Sequence, residues 1–177
     1  LCNVAVFDTG TRIPGEKISY ALNQRLPEDI RIQKSEECAA DFHPRHCDSR
    51  KTYEYRIYRA EFPMPVKRLY SHFTYVPLDV ELMREAAAYL VGEHDFKSFC
   101  SVAAQVESTV RTITDLQVLT EGNEIVIRVT GTGFLYNMVR IIAGTLMEAG
   151  RGNYPPSKLS EILEAKDRQA AGPTAPA

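Results

Sequence analysis

Two side chains in this sequence stand where chemistry could be done. The first is Arg140, inside the apolar run Gly131-Thr132-Gly133-Phe134-Leu135-Tyr136-Asn137-Met138-Val139-Arg140-Ile141-Ile142-Ala143-Gly144. A guanidinium there costs free energy unless it meets an anion or reaches water. Leu135, Met138, Val139, Ile142 and Leu146 keep the three-and-four spacing of a buried helical face, and Arg140 falls on a second face with Tyr136 and Ala143. It either snorkels past the helix edge or orients a carboxylate or phosphate. The second is Tyr53, near the start of the alternating run Lys51–Arg59. From Arg45 to Arg68 there are seven basic residues (Arg45, Arg50, Lys51, Arg56, Arg59, Lys67, Arg68) against Asp48, Glu54 and Glu61. That leaves +4 on a stretch interleaved with Tyr53, Tyr55, Tyr58 and Phe62, while the whole chain carries −2. Basic residues and aromatics on strands suit an RNA backbone and an unstacked base. They equally suit a solvated sheet face over a tyrosine core.

Other chemistries lack their residues. The four cysteines (Cys2, Cys38, Cys47, Cys100) contain no C-x-x-C pair, which fits reduced thiols rather than a disulfide framework. His43-x-x-His46-Cys47 resembles a metal cluster only superficially, because Pro44 disfavours the helix that would align the imidazoles and no second ligand pair follows. No histidine, cysteine or serine stands in a nucleophile motif, and there is no G-x-G-x-x-G or P-loop. No apolar run approaches a membrane span.

The elements that must hold these residues can be read from periodicity. A short strand is predicted over 3–8, a helix from Pro14 to about Leu26, and a strand from Asp29 to about Lys34. A connecting loop is expected over 38–49. In the strand Lys51–Arg59, Tyr53, Tyr55 and Ile57 share one face, and Thr52, Glu54, Arg56 and Tyr58 the other. His72–Val76 reads as a strand, Asp79 caps a helix through about Leu90, and 92–108 looks irregular. Val110–Leu119 and Glu124–Thr130 form a hairpin across Thr120-Glu121-Gly122-Asn123. The arginine-bearing helix follows. A last helix starts after Pro155-Pro156, with Ser157 as its cap, and runs to about Lys166. With 44% hydrophobic and 25% charged residues, this is an ordinary globular composition, and the order of elements argues an α+β fold.

Six segments carry a resemblance in order along the chain. They are Asn23-x-x-Leu26-Pro27-x-Asp29-Ile30; Asp41-Phe42-His43-x-Arg45; Arg50-Lys51-Thr52-Tyr53-Glu54-Tyr55-Arg56-Ile57-Tyr58; Gly92-Glu93-His94-Asp95-Phe96-x-Ser98-Phe99; Phe134-x-x-x-Met138-Val139-Arg140; and Ala165-Lys166-Asp167-Arg168. Together they resemble the bacterial tRNA pseudouridine synthase A family. The resemblance implies two ferredoxin-like halves with a mixed, mostly antiparallel sheet and an active cleft between them, divided here into 1–42 and 43–177. It implies isomerisation of uridine to pseudouridine in the tRNA anticodon arm (family positions 38–40), with no metal or organic cofactor. A homodimeric, cytoplasmic enzyme is implied as well.

By the same resemblance, Tyr53 would stack on the flipped base and take part in catalysis. Arg140 would pair with the nucleophilic aspartate, Phe134 would wall the pocket, and Arg45, Arg50 and Lys51 would bind substrate. The family's aspartate lies in a Gly-Arg-Thr-Asp motif upstream of the segment that begins at Leu1, and that motif is absent from these 177 residues. The chain is therefore expected to be a fragment, inactive by itself. A non-catalytic α+β RNA-binding module, using the same basic strand and aromatics, is the competing expectation.

Overall fold

A computed structural model describes residues 3–44, 47, 49–101 and 106–177. They divide into two compact units, Leu1–Asp48 and Ser49–Ala177. The division falls in the connecting loop, a few residues beyond the one expected at 42/43.

In the first unit the regular element is one helix, α1 (Gly15–Asn23), which begins directly after Pro14 as the fixed φ of proline favours. The strands expected over 3–8 and 29–34 do not form, nor does the helix reach Leu26. Strands need paired neighbours, and this segment bonds α1 instead, Ile32 through its backbone to the Asn23 side chain and Ser35 through its hydroxyl to the Ser19 amide. Asn23 Nδ2 donates to Ile32 O (2.9 Å), Ile32 N donates to Asn23 Oδ1 (2.8 Å), and Ser19 N donates to Ser35 Oγ (2.8 Å).

The second unit is one mixed five-stranded sheet with helices. Along the chain run β1 (Lys51–Arg59), β2 (His72–Thr74), α2 (Val80–Ala88), β3 (Gly92–Asp95), β4 (Val110–Glu121), β5 (Glu124–Gly131), α3 (Met138–Gly150) and α4 (Lys158–Ala165). The sheet order is β2-β1-β5-β4-β3, and only β1 and β2 are parallel. The α+β architecture follows the sequence pattern.

β1 has the bounds its alternation predicts. Asp79 caps α2 by accepting from the Glu81 and Leu82 amides. Ser157 makes no side-chain capping bond, so that expectation fails. β3 is the element the sequence hid, in a stretch expected to be irregular. Its four residues, Gly-Glu-His-Asp, have no strand pattern of their own, and they are extended because they pair Ile113 to Val110 along the edge of β4.

The core lies between the sheet and the helices. Ile57, Ile113, Leu116, Val118, Ile127 and Val129 meet Met83, Leu90, Phe99, Met138, Ile142, Leu146 and Ile162. The opposite sheet face is charged. Arg56 bonds Glu54, Glu121 and Glu124; Arg128 bonds Glu54; Lys67 bonds Glu124. These basic partners hold Glu54 and Glu124 below the ordinary carboxylate range, through hydrogen bonds from Arg128 to the first and Lys67 to the second. Arg56 and Lys67 are thereby taken up by a solvated acid–base ladder. Tyr58, expected on that outward face, is nonetheless buried, packing on Phe73 with ring centroids 5.4 Å apart.

Candidate active site

The site is built where β1, β5 and α3 meet. In the antiparallel register Lys51 lies opposite Gly131, Thr52 opposite Thr130 and Tyr53 opposite Val129. Gly131 is also opposite Ile113 of β4, beside a bulge between Ile113 and Asp115. A Cβ at Gly131 would stand 2.6 Å from the Thr112 carbonyl oxygen and 3.3 Å from the Phe134 ring, so the strand closes tightly only with glycine there. The Thr132 amide then donates to Thr112 O (3.2 Å), turning the chain off the sheet and bringing Phe134 back over β1.

Phe134 meets Tyr53 edge to face, with centroids 5.3 Å apart and planes at 90°. Such a pair fixes one ring by the other. Tyr53 remains 49% exposed, which sets it apart from Ile57 further along the same face, at 0%. Arg50 and Lys51 are both exposed beside it. Arg45 and His46 lie outside the described residues. The basic start of β1 and the Tyr53–Phe134 pair thus come together at one end of the strand.

α3 begins at Met138, three residues later than the apolar spacing suggests. Asn137 sits before it in the left-handed region (φ 60°), where asparagine is tolerated better than most residues. Tyr136 is therefore in a turn, not on a helical face with Arg140, and Ala143, the other residue expected on that face, is fully buried. The Asn137 side chain works in two directions. Its Nδ2 donates to Ser101 Oγ (3.0 Å), and its Oδ1 accepts from Arg140 Nη1 (3.3 Å).

Arg140 is half-buried, and its Nε donates to Ala175 O (2.7 Å). Both acceptors are neutral, and no described carboxylate lies within ion-pair distance of this guanidinium. The Tyr55 hydroxyl donates to Pro176 O (2.9 Å). Burial pushes its pKa up to about 12, against a smaller opposing effect of Arg140.

The sign of that shift sets a pH dependence. The folded pKa lies above the ordinary tyrosine value of 10.0. The stability drawn from the neutral hydroxyl is therefore intact below about pH 10 and lost as pH rises through about 12. A tyrosinate absorbance titration is expected to show one step near pH 12. Tyr55→Phe should remove it and flatten the loss of stability between those values. A Tyr55 that titrates at the ordinary value of 10.0 would refute the assignment.

Two other motifs serve as fastenings. Asp95 accepts from Thr109 Oγ1 (2.5 Å) and the Lys97 amide (3.2 Å) and pairs with Lys166 Nζ (3.0 Å). Ser98 Oγ donates to Ile162 O (2.5 Å). A cavity of about 430 Å³ lies apart from the Tyr53–Phe134 pair, among Tyr58, Met64, Arg68, His72, Phe73 and Pro176.

Sequence comparison gives this geometry a family. The sequence model of the tRNA pseudouridine synthase family matches residues 86–177. The tRNA pseudouridine synthase A 2 of Clostridium perfringens is 48% identical over 169 residues, covering 96% of this chain and 69% of that protein. The tRNA pseudouridine synthase A of Bacillus subtilis is 48% identical over 171 residues, with the same coverages, and that of Acetivibrio thermocellus 45% over 177 residues, covering 100% of this chain and 72% of its own. The chain belongs to the tRNA pseudouridine synthase A family of isomerases.

Proposed function

We propose that this chain carries the base-binding and arginine side of an enzyme that isomerises uridine to pseudouridine in the tRNA anticodon arm, at family positions 38–40. The observation that carries the reading is the Tyr53–Phe134 pair. One ring is braced edge-on and half exposed at the mouth of a basic strand, and Arg140 stands on the helix that follows Phe134.

In the proposed reaction the target uridine leaves the stack and lies on Tyr53, with Phe134 as the pocket wall. Arg45, Arg50 and Lys51 hold phosphates. The aspartate of a Gly-Arg-Thr-Asp segment is the nucleophile, and Arg140 fixes its carboxylate through a two-pronged ion pair. The bond from ribose C1′ to N1 breaks, the base turns, and C1′ bonds to C5. The C5 proton leaves and N1 gains one, so the product is an isomer. In this reading Tyr53 assists removal of the C5 proton. Nothing in this sequence of steps calls on a metal or organic cofactor. A homodimer working in the cytoplasm completes the reading. No helix among the described residues is long and apolar enough to cross a membrane.

Release of tritium from tRNA labelled at uridine C5 tests it. Residues 1–177 alone contain no Gly-Arg-Thr-Asp motif and should release none, whereas a form carrying that segment should release it from anticodon-arm uridines. Release by the 177 residues alone would remove the proposed nucleophile. Absence of release by both forms would favour a module that binds RNA without altering it.

A further inference from the structure

The segment after α4 does more than end a helix. From Ala171 to Pro176 it runs across α3 so closely that a Cβ at Gly144 would stand 1.8 Å from Pro173 O. Two fastenings hold it. Arg168 donates from Nη1 to Gly172 O (2.9 Å) and from Nη2 to Thr174 Oγ1 (3.0 Å). The Gly172 amide donates to Thr145 Oγ1 (3.0 Å), whose own proton goes to Ile141 O (2.8 Å). Between these fastenings and Arg140 the strap makes a reciprocal pair. Ala175 N donates to Arg140 O (3.0 Å), and Arg140 Nε donates to Ala175 O (2.7 Å). Ala175 is 3% exposed, so water does not compete for that carbonyl.

We propose that Ala171–Pro176 is a backbone clamp that sets the direction of the Arg140 guanidinium, and that Arg168 is a positioning residue acting on the reaction through it. The inference rests on the reading of Arg140 given above. An arginine side chain has several rotatable bonds, and a fork must meet a carboxylate in plane. Fixing Nε on a buried carbonyl removes the rotation about the last bonds and leaves the outer edge of the fork directed by the backbone. Arg168 touches only strap atoms in its described contacts, yet controls where the Ala175 carbonyl lies.

The test uses a form carrying the Gly-Arg-Thr-Asp segment and measures single-turnover isomerisation and tRNA binding for Arg168→Ala, Arg140→Lys and the double variant. A misplacement of about 1 Å costs on the order of 100-fold, so Arg168→Ala should slow turnover about 10- to 100-fold with tRNA binding within about twofold. In the Arg140→Lys background the same change should cost about twofold or less, because the clamp has lost what it positions.

Equal losses in both backgrounds, or an Arg168→Ala variant of normal rate, would overturn the clamp while leaving Arg140 in its role. A normal rate for Arg140→Lys alone would overturn the role of Arg140, and the clamp with it. If Arg168→Ala does not fold, Thr174→Val is read in its place. It removes one acceptor of the fastening, and the same dependence on Arg140 decides.

Discussion

Arg140→Lys is expected to lower turnover by about 100-fold or more while leaving tRNA affinity within a few-fold, in a form of the enzyme carrying the Gly-Arg-Thr-Asp segment. The charge survives the change but its geometry does not. The Nε bond to Ala175 O at 2.7 Å and the Nη1 bond to Asn137 Oδ1 at 3.3 Å use two separate nitrogens of one plane. An ammonium has one nitrogen on a flexible stem, so it cannot keep both bonds and also present a fork to a carboxylate. Because the protein groups around Arg140 are neutral, its charge is held ready rather than already neutralised. Rapid-quench kinetics beside filter binding separates the outcomes. A loss that falls mainly on binding would mean that Arg140 contacts phosphate instead, and unchanged kinetics would mean that it only packs.

Tyr53 gives the second large effect, divided between two variants. Tyr53→Leu removes the ring on which a base would stack, and about 1–3 kcal/mol of binding should go with it. The Phe134 ring also loses its edge contact, so turnover should fall further than affinity. Tyr53→Phe keeps ring, stacking and the Phe134 contact, and removes only the hydroxyl. If that hydroxyl takes part in moving the C5 proton, the Phe variant should bind tRNA normally yet fail to complete isomerisation. If stacking alone matters, it should approach the parent enzyme. Both variants active, with only a lower melting temperature, would make Tyr53 a packing residue despite its exposure.

How much of this was legible depended on how local the cause is. The strand carrying Tyr53 could be read to its ends, because the alternation from Thr52 to Ile57 is a local property, although Tyr58 departs from it. The hairpin could be read too, since Gly122 takes a positive φ (62°) and the next residue is asparagine. β3 could not, because its conformation comes from the free edge of β4 and not from Gly92–Asp95. Neither could most of the neutralisation of Arg56 and Lys67: Glu54 lies two residues from Arg56, but Glu121 and Glu124 are more than fifty residues from the bases they pair with. Basic charge counted along the sequence therefore overstated what β1 could offer an RNA backbone. For the site, spacing alone left Tyr53 and Arg140 open between core and function, and the roles proposed for them came from the resemblance. The clamp was invisible, since nothing in Gly144 or Ala175 signals a contact until the chain returns across α3.

That return leaves α3 with almost no outer surface. Every residue from Met138 to Gly150 except Val139, Arg140 and Glu148 is buried. An ordinary amphipathic helix has a wet stripe on which substitutions pass nearly unnoticed. Here a change at almost any position must be accommodated by the sheet, by α2 or by the strap. A change on the helix would therefore call for a matching change in the sheet, in α2 or in Ala171–Pro176. Anyone redesigning this protein, or grafting its arginine helix into another scaffold, would have to carry both segments as one inheritable unit.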